Sequence, residues 1–353
     1  MNRENPISLR WARLVDESAT APPALDLRIS VGDVLGDYTL LMQLARGGMA
    51  DIWVAARKRP GATPELVAIK TILPHLTADR AFVRMFLDEV GLLAAIRHPN
   101  VIEVRDVGLH FGLPYVALEW IDGGSLGQLM TQVSACGQSV PLNVALRVVG
   151  ECCLGLHTAH ELRTDSGELA GVIHRDVSPA NIVLGVGGDV KLIDFGVAKA
   201  TQRLSEQTGT GVFKGKVTYM APEQAMRRKV DRRADIWAAG VVLYRLVTGR
   251  APYQGSMLQV YQQLKLGAPY TPLPRHVQGP LRDVIHGALQ RDREQRFQTA
   301  ADLRRAIQFA SAQLCEPLTK DQFARYLREH LAESLSKRRA EILDAMGQTE
   351  LGL

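Results

Sequence analysis

From Tyr38 onward, apolar and polar positions alternate in short runs: YTLLMQLARG (38–47), MADIWVAAR (49–57) and ELVAIKTIL (65–73). Period-two alternation predicts three strands, the first two joined by a glycine turn. Across 79–97 the pattern changes. Phe82, Met85, Phe86, Val90, Leu93 and Ile96 form a helical stripe. HPN follows, and Pro99 disfavours helical backbone at His98. VIEVRDVG (101–108) and LPYVALEWI (113–121) read as two more strands, and DGGSL (122–126) as a flexible turn acting as a hinge.

Beyond that turn the periodicity is mostly helical. A long helix is predicted over about 141–161, with Leu146, Val149, Cys153 and Leu156 on one stripe, then a polar hairpin, RTDSGELAG. Residues 172–195 read as strand–turn–strand, and helices dominate after 222. A last amphipathic helix, 318–346, carries Phe323, Leu327, Leu331 and Leu335 four apart, with Tyr326, Ile342 and Met346 adding apolar surface. Docking on the larger lobe is its first reading; a dimer or partner contact is the second. Residues 1–36 show no period and read as a loosely held arm. The layout is α+β: arm (1–36), small β-rich lobe (37–121), larger helical lobe (122–312) and C-terminal helical extension (313–353).

Composition narrows the function. At 353 residues the chain exceeds one small core. A formal net charge of +5 without an interleaved basic and aromatic stripe gives no case for nucleic acid. Cys136, Cys152, Cys153 and Cys315 have neither disulfide-framework nor zinc spacing. His157 and His160 lie three apart on the predicted helix without an acid to complete a metal triad, and read as packing residues. The N-terminus lacks a signal-peptide core, and AAGVVLYRLVTG (238–249) is cut by Arg245, so no membrane span and a cytoplasmic location are expected.

Chemistry concentrates in a few stretches. LARGGMADIWVA (44–55) is a strand–glycine–strand turn whose small residues let backbone N–H groups approach an anion such as phosphate. Lys70, on an apolar strand, needs a partner, and Glu89 on the next helix can supply one. VIHRDVSPANIVL (172–184) sets Asp176 and Asn181 five apart between aliphatic flanks, and Asp194 opens DFG after VKLI. Three oxygen donors suit a hard cation such as Mg2+.

With APEQ (221–224) and DIWAAG (235–240), six ordered motifs appear over about 38–310: glycine-rich loop, VAIK, a helix Glu, HRD…N, DFG and APE. As a set they resemble the eukaryotic-type (Hanks-type) serine/threonine protein kinases, in the bacterial style. The resemblance implies a bilobal kinase fold and transfer of the ATP γ-phosphoryl group to Ser/Thr hydroxyls of protein substrates, with Mg2+. It implies Asp176 as catalytic base, Asn181 and Asp194 as metal ligands, and Lys70 on the α/β-phosphates, held by Glu89. Leu44, Ala45, Arg46, Gly47, Gly48, Met49, Ala50, Asp51 and Ile52 correspond to the lid over the phosphates. Ile52, Ala68 and Val183 correspond to the adenine sandwich, Leu118 to the gatekeeper, and the backbone of Glu119 and Ile121 to the base-edge contacts. Asp235 resembles the brace of the catalytic loop, and Glu223 with Arg296 the structural ion pair. Arg175 corresponds to a clamp for a phosphorylated activation loop, which offers Thr201, Ser205, Thr208 and Thr210, with Thr208 or Thr210 favoured.

The chain departs from the pattern in two places. Ala45 and Ala50 replace two loop glycines, which predicts a stiffer lid. Ser178 replaces the Lys two residues after the catalytic Asp, and Lys216 replaces the usual Thr before YMAPE. Together these suggest an exchange in which Lys216 supplies the cation and Ser178 the hydroxyl. Alternatives are a pseudokinase or ATP-binding scaffold, supported by these departures, and a small-molecule kinase of related fold, opposed by APE and DIWAAG. The exchange predicts that Ser178→Lys and Lys216→Thr each lower phosphoryl transfer and that the double variant recovers it; additive losses in a transfer assay would remove the idea.

Overall fold

The computed structural model describes residues 10, 14–15, 17–18, 22, 24, 27–58, 63–195, 217–277 and 279–351. The chain forms two compact units: Met1–Arg97 with Ile102–Ile121 and Glu333–Leu353, and His98–Val101 with Asp122–Ala332.

The first unit is built on a six-stranded antiparallel sheet, in order β1-β2-β3-β4-β6-β5. Its strands are β1 (Val34–Leu35), β2 (Tyr38–Arg46), β3 (Ala50–Arg57), β4 (Glu65–Ile72), β5 (Val104–His110) and β6 (Leu113–Glu119). The alternation read from the sequence sorts the faces. Tyr38, Leu40, Trp53, Ala55, Val67, Ile69, Tyr115 and Ala117 form one buried cluster with Leu35. The opposite face carries Ile52, Val54 and Ala56, paired with Lys70, Ala68 and Leu66 respectively. Helix α1 (Arg80–Ala95) starts at Asp79, whose carboxylate accepts from the N–H groups of Ala81 and Phe82, and buries Phe82, Phe86, Leu87, Val90 and Leu93.

Described residues of the N-terminal segment are held to this unit. Leu14, Ser18 and Ala24 are buried. Arg10 Nη1 donates to both oxygens of the buried Asp106, at 2.6 and 2.7 Å, and Ala24 N–H donates to Thr77 Oγ1 at 2.8 Å.

In the second unit, β7 (Gly123–Ser125), β8 (Ile182–Gly185) and β9 (Asp189–Leu192) form a three-stranded sheet. The DGGSL stretch, expected as a flexible turn, is therefore largely a paired strand. Gly123 lies so close to β8 that a Cβ there would meet Leu184 O at 2.0 Å, so a glycine is required. Ser125 then caps α2 (Leu126–Ala135) in a reciprocal box with Gln128. The helices that follow are α3 (Leu142–His160), α4 (Pro222–Ala225), α5 (Arg233–Thr248), α6 (Met257–Leu266), α7 (Gly279–Ala288), α8 (Ala300–Leu314) and α9 (Lys320–Leu351). Cys152 and Cys153 are buried in α3, and burial pushes the Cys153 thiol up to about 12.

Helix α9 is about 48 Å long at 1.5 Å per residue. Its first turns, in the second unit, bury Phe323, Leu327 and Leu331 completely. There Arg147 lies 5.1 Å over the Phe323 ring and donates to Leu318 O at 2.7 Å, and Lys320 pairs with Asp189 at 2.7 Å. Its later turns, in the first unit, bury Ile342 against the sheet. The apolar stripe is thus spent inside the chain. Truncating Phe323 to Ala removes a fully buried ring and is expected to cost about 3–5 kcal/mol of stability, read as a lowered midpoint in urea unfolding.

Candidate active site

The segment 172–184 lies wholly in the second unit. Asn181 sits in a 3-10 turn, Pro179–Asn181, and its Nδ2 donates to Asp176 twice: to the backbone oxygen at 2.8 Å and to Oδ2 at 2.7 Å. That orientation turns the Asn181 Oδ1 away from the pair. Asn181 O accepts from Ile193 N–H at 3.0 Å, which ties the loop to the residue before Asp194. His174 Nε2 meets Ile193 O at 3.0 Å, and its ring lies 4.4 Å from that of Phe195. These contacts place Asp176 and Asn181 together, with Asp194 just beyond the tied residue. Ser178 is also buried, and its carbonyl accepts from Asn181 N–H at 2.9 Å.

The loop backbone is strained. Arg175 has φ +64 and Asp194 φ +61, left-handed conformations that cost non-glycine residues about 1–3 kcal/mol each. Asp235 holds the first of them. It stands in the first turn of α5, where the helix dipole favours a carboxylate. It accepts from His174 N–H at 2.8 Å and Arg175 N–H at 2.7 Å. Burial alone would raise its carboxyl, but the bond and charge of His160 and the field and N–H of His174 hold it below the usual carboxylate value.

His160 supplies the third bond to Asp235, from Nε2 at 2.8 Å, with both side chains fully buried. Spacing alone marks His160 as a packing residue, and its role is larger. It is the last residue of α3, where the helical stripe ends, and nothing in its spacing marks a partner 75 positions away. Gln224 is a second omission: its Nε2 donates to Arg175 O at 3.2 Å while its Oε1 accepts from Ala221 N–H. Glu223 and Arg296 form a bidentate buried pair, 2.7 Å at each contact, and Arg296 also lies 5.0 Å over the Trp237 ring.

The loop 44–52 lies in the first unit. Ala45 pairs with Ile52 and Arg46 with Asp51 across the turn. Gly47 N–H donates to Ala50 O at 2.9 Å, and Met49 O accepts from Leu73 N–H at 2.9 Å. Arg46 and the buried Asp51 join at 3.2 Å, a link the sequence did not reveal. Leu44 is partly exposed, and Gly48 completes the turn. Neither Ala45 nor Ala50 has a positive φ, so alanine fits both positions without backbone strain.

Ile52, Ala68 and Lys70 are half-buried on one face of the sheet, and Glu89 is half-buried on α1. Leu118 pairs with Ala68. Val183 lies in β8 of the second unit, paired with Lys191 and Ser125. Ile121 makes no hydrogen bond through its backbone among the described residues. Lys216, Thr201, Ser205, Thr208 and Thr210 lie outside the described residues.

Because Asp235 is held below its usual range, the stability it contributes is present above about pH 4 and is lost as pH falls through its folded value. Urea unfolding followed downward from about pH 6 should show this acid limb in the wild type and a flatter one in Asp235→Asn.

Residues 38–306 match the family described as protein kinase domain. The chain is 44% identical to the tyrosine-protein kinase MasK of Myxococcus xanthus, over 62% of this chain and 34% of that protein. It is 34% identical to the serine/threonine-protein kinase PknB of Mycobacterium leprae, over 81% of this chain and 43% of the relative. The chain therefore spans well under half the length of these relatives. Among solved structures, the PknI kinase domain of Mycobacterium tuberculosis matches with a TM-score of 0.58 at 27% identity, covering 80% of this chain and all of that one.

Proposed function

The chain belongs to the protein kinase family, and on that premise we propose that it transfers the γ-phosphoryl group of Mg-ATP to serine and threonine hydroxyls of protein substrates. The observation that carries this reading is the Asp176–Asn181 pair, held on a strained loop that Asp235 fixes through two N–H groups. Asp176 Oδ2 is kept in one orientation by the Asn181 amide, which suits a base that aligns an incoming hydroxyl and takes its proton.

Asn181 Oδ1 and the Asp194 carboxylate are the hard oxygen donors that Mg2+ prefers, and they would hold it. Bound there, the ion would supply neutralisation of phosphate charge. Lys70 would meet the α/β-phosphates, with Glu89 as its support. The turn at 47–48 would lie over the phosphates, and Ile52, Ala68 and Val183 would enclose the adenine. The backbone of Ile121, which makes no hydrogen bond among the described residues, would meet the base edge together with the backbone of Glu119. Transfer itself asks little covalent chemistry of the protein; it asks for alignment and a preorganised field.

Arg175 would pair with a phosphate on the activation loop, and Thr208 or Thr210 is the residue we propose to carry it. The partner set is ATP and protein substrates. Among the described residues no helix is long and apolar enough to cross a membrane. A cytoplasmic location follows from the need for ATP and remains part of this proposal.

A second reading is favoured by one relative. The 44% identical protein is named a tyrosine kinase, so tyrosine is the alternative acceptor. Incubation with labelled ATP, Mg2+ and a generic basic protein, followed by phosphoamino-acid analysis, separates these readings. Label on Ser and Thr, lost in Asp176→Asn, is the expected result. Label chiefly on Tyr replaces the acceptor class, and no label in the wild type leaves only a scaffold.

A further inference from the structure

The second half of α9 lies on the sheet face that carries the proposed adenine wall. Register puts Met42, Ile52, Val54 and Ala56 on that face, opposite Lys70, Ala68 and Leu66. Ile52, Ala68 and Lys70 occupy one part of it. The adjoining part, Val54, Ala56, Met42 and Leu66 with Leu41, is covered by Ile342, Ala345 and Met346. Val54 pairs directly with Ala68, so the helix-covered patch and the adenine wall share a strand pair.

Trp120 belongs to the same cluster. It stands between Glu119 and Ile121, the two residues whose backbone would read the base edge. Glu119 is fixed from the sheet side, where its N–H donates to Glu103 O at 2.9 Å and its Oε1 accepts from Glu103 N–H at 2.8 Å. Ile121 has no such tether: its backbone makes no hydrogen bond among the described residues. Trp120, packed against the cluster, tethers the linker between them. Fixing φ and ψ of a connecting segment before a ligand arrives lowers the ordering cost of binding.

We infer that the second half of α9 is a positioning element of the nucleotide site, acting through Ile342 and Met346 on Trp120 to preset the Glu119–Ile121 backbone for a purine base. The inference rests on the kinase reading above and concerns affinity for the nucleotide, not the transfer step. Leu343, next to Ile342 in the chain, is exposed and takes no part in the cluster.

The test uses the full chain with Ile342→Ala/Met346→Ala, Trp120→Ala and Leu343→Ala. ADP binding is measured by calorimetry, and KM for ATP and kcat by transfer to a peptide. Ile342→Val serves as the conservative variant, and circular dichroism confirms that each protein is folded. The first two should raise the ADP Kd and the ATP KM about tenfold, within the range usual for coupling between a remote contact and a ligand site. Their kcat should stay within about twofold, since an element acting on binding alone leaves the bound complex to react as before. Ile342→Val and Leu343→Ala should match the wild type. Unchanged Kd and KM in the folded variants, or a fall in kcat with KM unaltered, would overturn the role of the helix. A wild type that binds no ADP would instead remove the nucleotide reading on which it rests.

Discussion

A single buried carboxylate organises the loop that carries Asp176. Asp235 accepts three hydrogen bonds, two from the backbone of His174 and Arg175 and one from the His160 ring. A desolvated charge with fewer partners would be costly, so each donor is needed both to keep Asp235 ionised and to hold the loop. The left-handed conformation of Arg175, the residue before Asp176, persists because these bonds over-determine it. The orientation of Asp176 by Asn181, and through Asn181 the link toward Asp194, is built on that anchored backbone.

A second buried charge pair works on the same loop from the other side. Arg296 grips Glu223 in α4, and the next residue, Gln224, bonds the Arg175 carbonyl. Arg175 is thus fixed at its N–H by Asp235 and at its C=O by Gln224. Buried pairs such as Glu223 with Arg296 contribute little net stability, yet breaking one costs about 3–5 kcal/mol, which makes them effective at enforcing one geometry. Helix α9 shows a different use of burial: Phe323, Leu327 and Leu331 are buried in the second unit and Ile342 in the first.

Much of this was legible in the residues. Alternation placed the strands that carry Ile52, Ala68 and Lys70, and the 3.6-residue stripes placed the helices bearing Glu89 and the C-terminal Leu residues. Asp176, Asn181 and Asp194 were legible as a set because their order and spacing are distinctive together. The rest depended on contacts that no local pattern encodes. His160 bonds a residue 75 positions away, and Gln224 one 49 away. DGGSL read as flexible because its glycines suggested freedom; Gly123 is there for close approach to Leu184, a tertiary demand. That alanine fits at 45 and 50 without strain depends on the φ angles of the turn, which no sequence shows.

The central claim is that Asp235 acts on chemistry by fixing the backbone ahead of Asp176. Steady-state transfer by folded Asp235→Asn, with ATP and peptide both varied, tests it most directly. The account predicts a fall in kcat of about a hundredfold, the scale expected from misplacing a catalytic group by an ångström, with KM for ATP nearly unchanged. A folded variant that turns over at the wild-type rate would contradict it.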